Sequence, residues 1–477
     1  MAIEGLNSLR KLEFLDLSYN RIIKIEGLNM LEKLCNLNLF SNEIKEIKGL
    51  EWLDELHKLN LSDNKIVDIQ GLDNLKRLKN LNLSSNEIIK IKGLKNLKRL
   101  NTLDLSFNLI REIKGLDQLV ELEDLNLYDN KIDEITGLDK LSKLKCLNLG
   151  KLSENSKIEE IKGLDKLNKL EDLNLCKNKI GNIINLKYNL KLKNLNLSKN
   201  ENILIKELTH LEALDLGYTN RKELGEEIQL LTNLKELYLR SNEKISIEGI
   251  KNLTNLEVLD LGYTNRKELG EIKKLDNLKE LYLSYNKIIS TEGIEELYNL
   301  ENLYLRNNHI EEIGNLKKLY NLKVLDLSHN KITSMNGIEN LYKLKVLYLM
   351  NNKIYKLCNL NDLLQLEYLI LDKNKISDIS KIPVKIKYID LGRQEIDLKD
   401  YKNTENKYSL NTSFIKLRGG EDLDIDYILE NGKYDNHTKT IIWENLSTDK
   451  LQFEFNNIDD DWIDFSGIVN ICLVDKI

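Results

Sequence analysis

Tyr238, Arg240, Tyr263, Tyr282, Tyr285, Tyr304, Arg306, Tyr348, Met350 and Tyr368 are large side chains with polar or polarisable tips, and several are 22 or 44 positions apart. Such residues suit non-covalent recognition, because tyrosine, arginine and methionine concentrate in the buried parts of protein interfaces. Covalent chemistry needs convergent bases, nucleophiles or metal ligands, and this sequence spreads them. The five histidines, His57, His210, His309, His329 and His437, are solitary, and no His-Glu-x-x-His, Walker A loop or Gly-x-Ser-x-Gly occurs. The five cysteines, Cys35, Cys146, Cys176, Cys358 and Cys472, are scattered without a Cys-x-x-Cys pair and read as free thiols. Two acidic runs, Asp422-Leu-Asp424-Ile-Asp426 and Asp459-Asp460-Asp461, carry hard-cation ligands but lack the EF-hand arrangement, so they read as solvated loops. The expectation is a chain that is not an enzyme, holds no cofactor or metal, and presents the ten residues above to a protein partner.

Those spacings come from a repeat. Leu12, Leu34, Leu56, Leu78, Leu100, Leu122 and Leu144 recur with a period of 22 residues, a length typical of leucine-rich repeats. Within each, a pair such as Leu103 and Leu105 alternates with period two, which sends both to one face of a short strand and Asp104 to the other. An asparagine follows at the strand exit: Asn20, Asn42, Asn64, Asn86, Asn108, Asn130, Asn178, Asn200, Asn242, Asn286, Asn308, Asn330, Asn352 and Asn374. An amide both donates and accepts, so this column reads as a buried hydrogen-bond ladder. Past the strand, Ile110, Ile113, Leu116 and Leu119 are three apart, a spacing suited to 3₁₀ or one-turn helix on the convex side. Gly27, Gly49, Gly71, Gly93, Gly115, Gly137 and Gly163 recur in its bend.

The fold class expected is an α/β solenoid of about 18 coils with a parallel concave sheet roughly 80 Å long. Four residues are inserted between Lys151 and Ser156, and the coil at Leu192 is shortened. Residues 211–225 and 256–270 share Leu-Asp-Leu-Gly-Tyr-Thr-Asn-Arg-Lys-Glu-Leu-Gly, a duplicated segment. Along the exposed column between the second and third leucines, the first half reads Asp16, Asn38, Asn60, Asn82, Asp104 and onward in short polar residues. The second half turns to Tyr238, Tyr282, Tyr304 and Tyr348. Beyond Leu398 the period stops, and Ser409–Leu417, Leu423–Leu429, Thr438–Trp443, Leu451–Phe455 and Ile468–Val474 read as strands of a small β-sandwich. The domains expected are 1–397, the repeats, and 398–477, the sandwich that caps them.

A formal charge of −6, with acidic and basic residues interleaved, argues against nucleic acid or an anionic membrane as the main partner. No apolar run is long enough to cross a bilayer, so no membrane insertion is expected. Ile3-Glu-Gly-Leu6 matches Ile25-Glu-Gly-Leu28, which places residue 1 inside a repeat and leaves the natural start, any export signal and the compartment open. Self-association through the open end and the tyrosine face is a second class of reading.

The coil Leu-x-x-Leu-x-Leu-x-x-Asn-x-Ile-x-x-Ile-x-x-Leu resembles the 22-residue repeats of bacterial internalins and of the phosphatase-1 regulatory repeat proteins. The tail Gly432-Lys-Tyr434-Asp-Asn-His-Thr-Lys-Thr-Ile441-Ile-Trp443, with Phe453-Glu-Phe455 and Phe465-Ser-Gly467, resembles the Ig-like domain that follows the repeats in internalins. The resemblance implies a right-handed horseshoe carrying an Ig-like domain, on a bacterial surface or secreted protein that grips a protein on its concave face. The alternative is a cytoplasmic regulatory scaffold. The resemblance transfers no individual contact residue.

Overall fold

A computed structural model describes residues 3–152, 158–201, 203, 205, 208–314, 316–383, 385–401, 407–418, 423–458 and 464–474. The chain divides into two compact units, Met1–Leu253 and Thr254–Ile477.

In the first unit every coil contributes one three-residue strand, from β1 (Phe14–Asp16) to β11 (Glu236–Tyr238). The described pairings are parallel and keep the repeat register: Leu103 lies beside Leu81 on one side and Leu125 on the other. Leu103, Leu105, Ile110, Ile113, Leu116 and Leu119 are fully buried, so each coil buries one ring of aliphatic side chains against the next. The residue at the strand exit takes a left-handed conformation in nearly every coil, as Phe107 does at φ 54°. The chain then turns into the next asparagine. Asn108 donates to Leu105 O and Ser106 O of its own coil and to Leu83 O of the preceding one, and its Oδ1 accepts from Ile88 N at 2.9 Å. The asparagine column is thus a ladder between coils, as its amide chemistry predicts.

The convex side is built from single i→i−3 turns, such as Leu97 N to Leu94 O at 3.0 Å, and short 3₁₀ segments such as Ile184–Tyr188. No α-helix occurs among the described residues. The fold class is therefore a β-solenoid rather than α/β, because the residues left between strands suffice only for turns. At Gly71, with φ 80°, a Cβ would stand 2.1 Å from Ile47 O, so the bend tolerates glycine alone. The duplicated segment departs from the ladder: Thr219 replaces the asparagine and hydrogen-bonds Leu216 O at 2.8 Å, while the buried Arg221 replaces the isoleucine and reaches Ile203 O. The inserted loop falls largely at residues 153–157, outside the described residues. Strand pairing is kept across it, Leu147 beside Leu173, and across the shortened coil, Leu195 beside Leu214.

The second unit continues with seven such strands, Val258–Asp260 to Tyr388–Asp390. Its ladder ends on Gln394, whose Nε2 donates to Leu371 O and Leu391 O. The chain then forms a strand, Gln394–Tyr401, parallel to Asp464–Val474. Asp464–Val474 pairs antiparallel with Lys450–Ile458, which pairs with Ile425–Ile428. A separate antiparallel sheet holds Lys407–Asn411, Thr440–Glu444 and Lys433–Asp435. Trp443, Phe453, Phe455 and Phe465 are fully buried in this region, and Trp443 Nε1 donates to Leu429 O at 2.9 Å. The repeat sheet thus runs on into this region, with Asp390 beside Asp464, and one small separate sheet accompanies it; the expected strand at 409–417 is confined to 407–411.

Candidate partner-binding surface

Because the repeat strands after the first bury their middle leucine or isoleucine, the residues on either side of it lie toward solvent and form columns along the sheet. In the first unit those columns line a groove of about 540 Å³ running from Thr102 to Tyr238. Asp104, Asp124, Asp172 and Asp215 line it, and among the described residues no lysine or arginine does. Burial first, then Asp104 and Asp172, pushes the Asp124 carboxyl above the usual carboxylate range. The Cys146 thiol is pushed up to about 12 by burial and by its hydrogen bond to Asp172, so it stays protonated. Sequence reasoning reads this stretch as short polar residues and includes Asp104. It missed the acidic floor because Asp124 and Asp172 precede the middle leucine, in a column that was not followed.

Asp124 offers a pH test. A raised pKa means the folded state favours the neutral acid, so its stabilising effect is present below the ordinary pKa and lost as pH rises through the folded one. Asp124→Asn should therefore stabilise the protein at pH 7 by a few tenths of a kcal/mol after allowance for solvent screening. The gain should disappear as pH falls through the carboxylate range; thermal melts across that range would reveal it.

The candidate contact residues divide between the units. Tyr238, whose hydroxyl donates to Glu236 at 2.9 Å, and Arg240, which sits beside the Tyr218 phenol, belong to the first. The other eight belong to the second. There Tyr282 and Tyr304, on neighbouring strands, stack with centroids 4.7 Å apart and planes 3° apart. Tyr282 also donates to Glu280 at 2.6 Å. Tyr263 and Tyr285 form a second stack at 4.1 Å, but both have positive φ and stand at the strand exits, along one rim of the sheet. Arg306 Nη2 lies 3.1 Å from His329 Nε2. Burial and then Arg306 lower the His329 pKa, which favours the neutral ring as acceptor. Tyr348 is 37% exposed, Tyr368 45% exposed, and Met350 half-buried; Tyr348 and Tyr368 stand on adjacent strands.

Tyr388 stands beside Tyr368 on the next strand, their ring centroids 6.4 Å apart, and extends the column that the sequence analysis ends at Tyr368. Another exposed column, Tyr298, Tyr320 and Tyr342, lies in the turns beyond the strands. Tyrosine count alone therefore overstates the sheet-face surface. Asp422 and Asp459–Asp461 of the acidic runs lie outside the described residues.

Residues 54–96, 76–118 and 276–318 match the family described as leucine-rich repeats in two copies, and residues 298–354 match a leucine-rich repeat family. A leucine-rich repeat protein of Leptospira interrogans is 31% identical over 80% of this chain and 97% of its own, with a TM-score of 0.61. A functional domain of the Listeria monocytogenes internalin InlJ, which includes a cysteine ladder, is similar in fold at 22% identity, covering 98% of this chain and 91% of its own, TM-score 0.57. TLR13 in complex with ssRNA13 is 26% identical over 80% of this chain and 66% of its own, TM-score 0.58. No curated protein matches.

Proposed function

Because this chain belongs to the leucine-rich repeat proteins, we propose that it is a recognition scaffold taking a protein partner on the sheet face of its repeats, as a surface or secreted adhesin. Leucine-rich repeat scaffolds of this kind are typical of protein–protein interaction. The observation that carries the reading is the Tyr282–Tyr304 stack, with exposed Tyr348 and Tyr368 farther along the same sheet. These rings are held against strands, so little side-chain freedom remains to be lost on binding, and tyrosine contributes both area and a hydroxyl. Residues 398–477 serve in this reading as an Ig-like cap on the last coil. The acidic groove of the first unit disfavours a nucleic-acid ligand of the kind bound by the TLR13 relative, since a polyanion would meet four carboxylates and no countercharge.

The test is capture of proteins from candidate host-surface and cytosolic fractions by wild type and by a Tyr282→Ala, Tyr304→Ala, Tyr348→Ala variant, both verified as folded by circular dichroism. A partner held by wild type should be lost from the triple variant, an affinity drop of roughly 100-fold or more for three interface tyrosines. Equal capture by both would remove the tyrosine face from consideration. A partner of host-surface origin supports the adhesin reading, and a cytosolic one favours the regulatory alternative.

A further inference from the structure

The tyrosine column of the second unit is interrupted at Asp326. Four consecutive strands, Glu280–Tyr282, Asn302–Tyr304, Val324–Asp326 and Val346–Tyr348, pair in parallel, and their register sets Tyr282 beside Tyr304, Tyr304 beside Asp326, and Asp326 beside Tyr348. Where two tyrosines are neighbours, as at 282 and 304, their rings lie parallel at 4.7 Å, which is the strand spacing itself. One strand further on, the short side chain of Asp326 stands where a third ring would extend the stack. Tyr304 is therefore flanked by a ring on one side only. Tyr348 lies two strand spacings from it, about 9.6 Å. A gap of that width takes one planar group, at the separation from each ring that the existing stack displays.

The floor of the gap is anionic. Asp326 Oδ1 accepts from Ser328 N at 2.9 Å, and no lysine or arginine among the described residues forms an ion pair with this carboxylate. The cation nearest in sequence register, Arg306, is directed instead to His329 Nε2 at 3.1 Å. Burial, followed by Glu280 and Asp326, pushes the Tyr304 phenol up, so the ring stays neutral beside a negative field.

We propose that the slot between Tyr304 and Tyr348 receives an arginine side chain of the protein partner, its guanidinium stacked between the rings and paired with Asp326. The inference rests on the reading of this face as the partner's site and specifies what the partner must present. A guanidinium is planar, so it can offer a face to each ring while its edge donates two hydrogen bonds to a carboxylate. A lysine ammonium has no plane to fit the slot. An aromatic side chain would fill it but leave Asp326 desolvated and unpaired, at a cost.

The test uses the full chain with ring-labelled tyrosine and the peptide Ac-Gly-Arg-Gly-NH2, followed by NMR. The peptide should shift the Tyr304 and Tyr348 signals at millimolar concentration, and its lysine counterpart should bind roughly tenfold more weakly. Asp326→Asn should weaken the arginine peptide by a similar factor, and Asp326→Tyr should abolish binding by completing the stack. If Asp326→Tyr fails to fold, Asp326→Asn, which changes no volume, decides. Equal binding of the two peptides, indifference to Asp326→Asn, or no shift at Tyr304 and Tyr348 would overturn the proposal. Capture of the natural partner separates the two readings: loss in the triple tyrosine variant but retention by Asp326→Asn leaves the face standing and removes the slot. Retention by both removes the face as the partner's site.

Discussion

Replacing Asn108 by alanine is expected to cost about 3–5 kcal/mol of folding stability, because one side chain serves four backbone groups. Its Nδ2 donates to Leu83 O, Leu105 O and Ser106 O, and its Oδ1 accepts from Ile88 N, all within 3.1 Å. The residue is 4% exposed, so water cannot take over these bonds in alanine's place. Aspartate should fare no better, since it lacks the donors and would bury a charge. The column contains its own control. Asn20 is exposed and among the described residues bonds only to Leu17 O and Ser18 O of its own coil, so Asn20→Ala should cost no more than about 1 kcal/mol. Urea denaturation of both variants measures the difference. Hydrogen exchange should place the loss at the Asn108 coil and its neighbours, because each coil of a solenoid contacts only the next. Equal effects at the two positions would mean that the ladder between coils contributes little.

The same ladder shows why the repeat was legible. Leucine, asparagine and glycine recur because each coil must meet an identical neighbour, and a requirement repeated every 22 residues is written in the sequence as a period. What escaped reading lies where the frame slips or where residues outside the frame meet. Gln394 takes the asparagine role after a coil shortened to 20 residues, its longer side chain still reaching Leu371 O. The strand Gln394–Tyr401 was passed over because its alternation is largely polar, and its partner, Asp464–Val474, is distant in sequence. Among the candidate contact residues, the stacking of Tyr282 on Tyr304 follows from register. That of Tyr263 on Tyr285 depends on left-handed backbone at the strand exit, which no spacing announces.

Gly467 carries the second large effect. It stands opposite Gln394 where the strand Asp464–Val474 lies along Gln394–Tyr401, and its φ is not positive, so conformational freedom does not explain it. Close approach does: a Cβ there would lie 2.4 Å from Gln394 O and 2.9 Å from Gln394 Cβ. The obstacle is partly backbone, which cannot rotate aside, so Gly467→Ala must separate the strands by several tenths of an ångström or more. A cost of about 2–3 kcal/mol is expected from this overpacking. The strain falls on Gln394, the last member of the ladder, whose amide holds Leu371 O and Leu391 O and accepts from Ile376 N. Faster hydrogen exchange should therefore appear at Ile376 and in residues 464–474, with the coils of the first unit unchanged. An alanine variant as stable and as protected as wild type would mean that the terminal strand does not bear on the last coil.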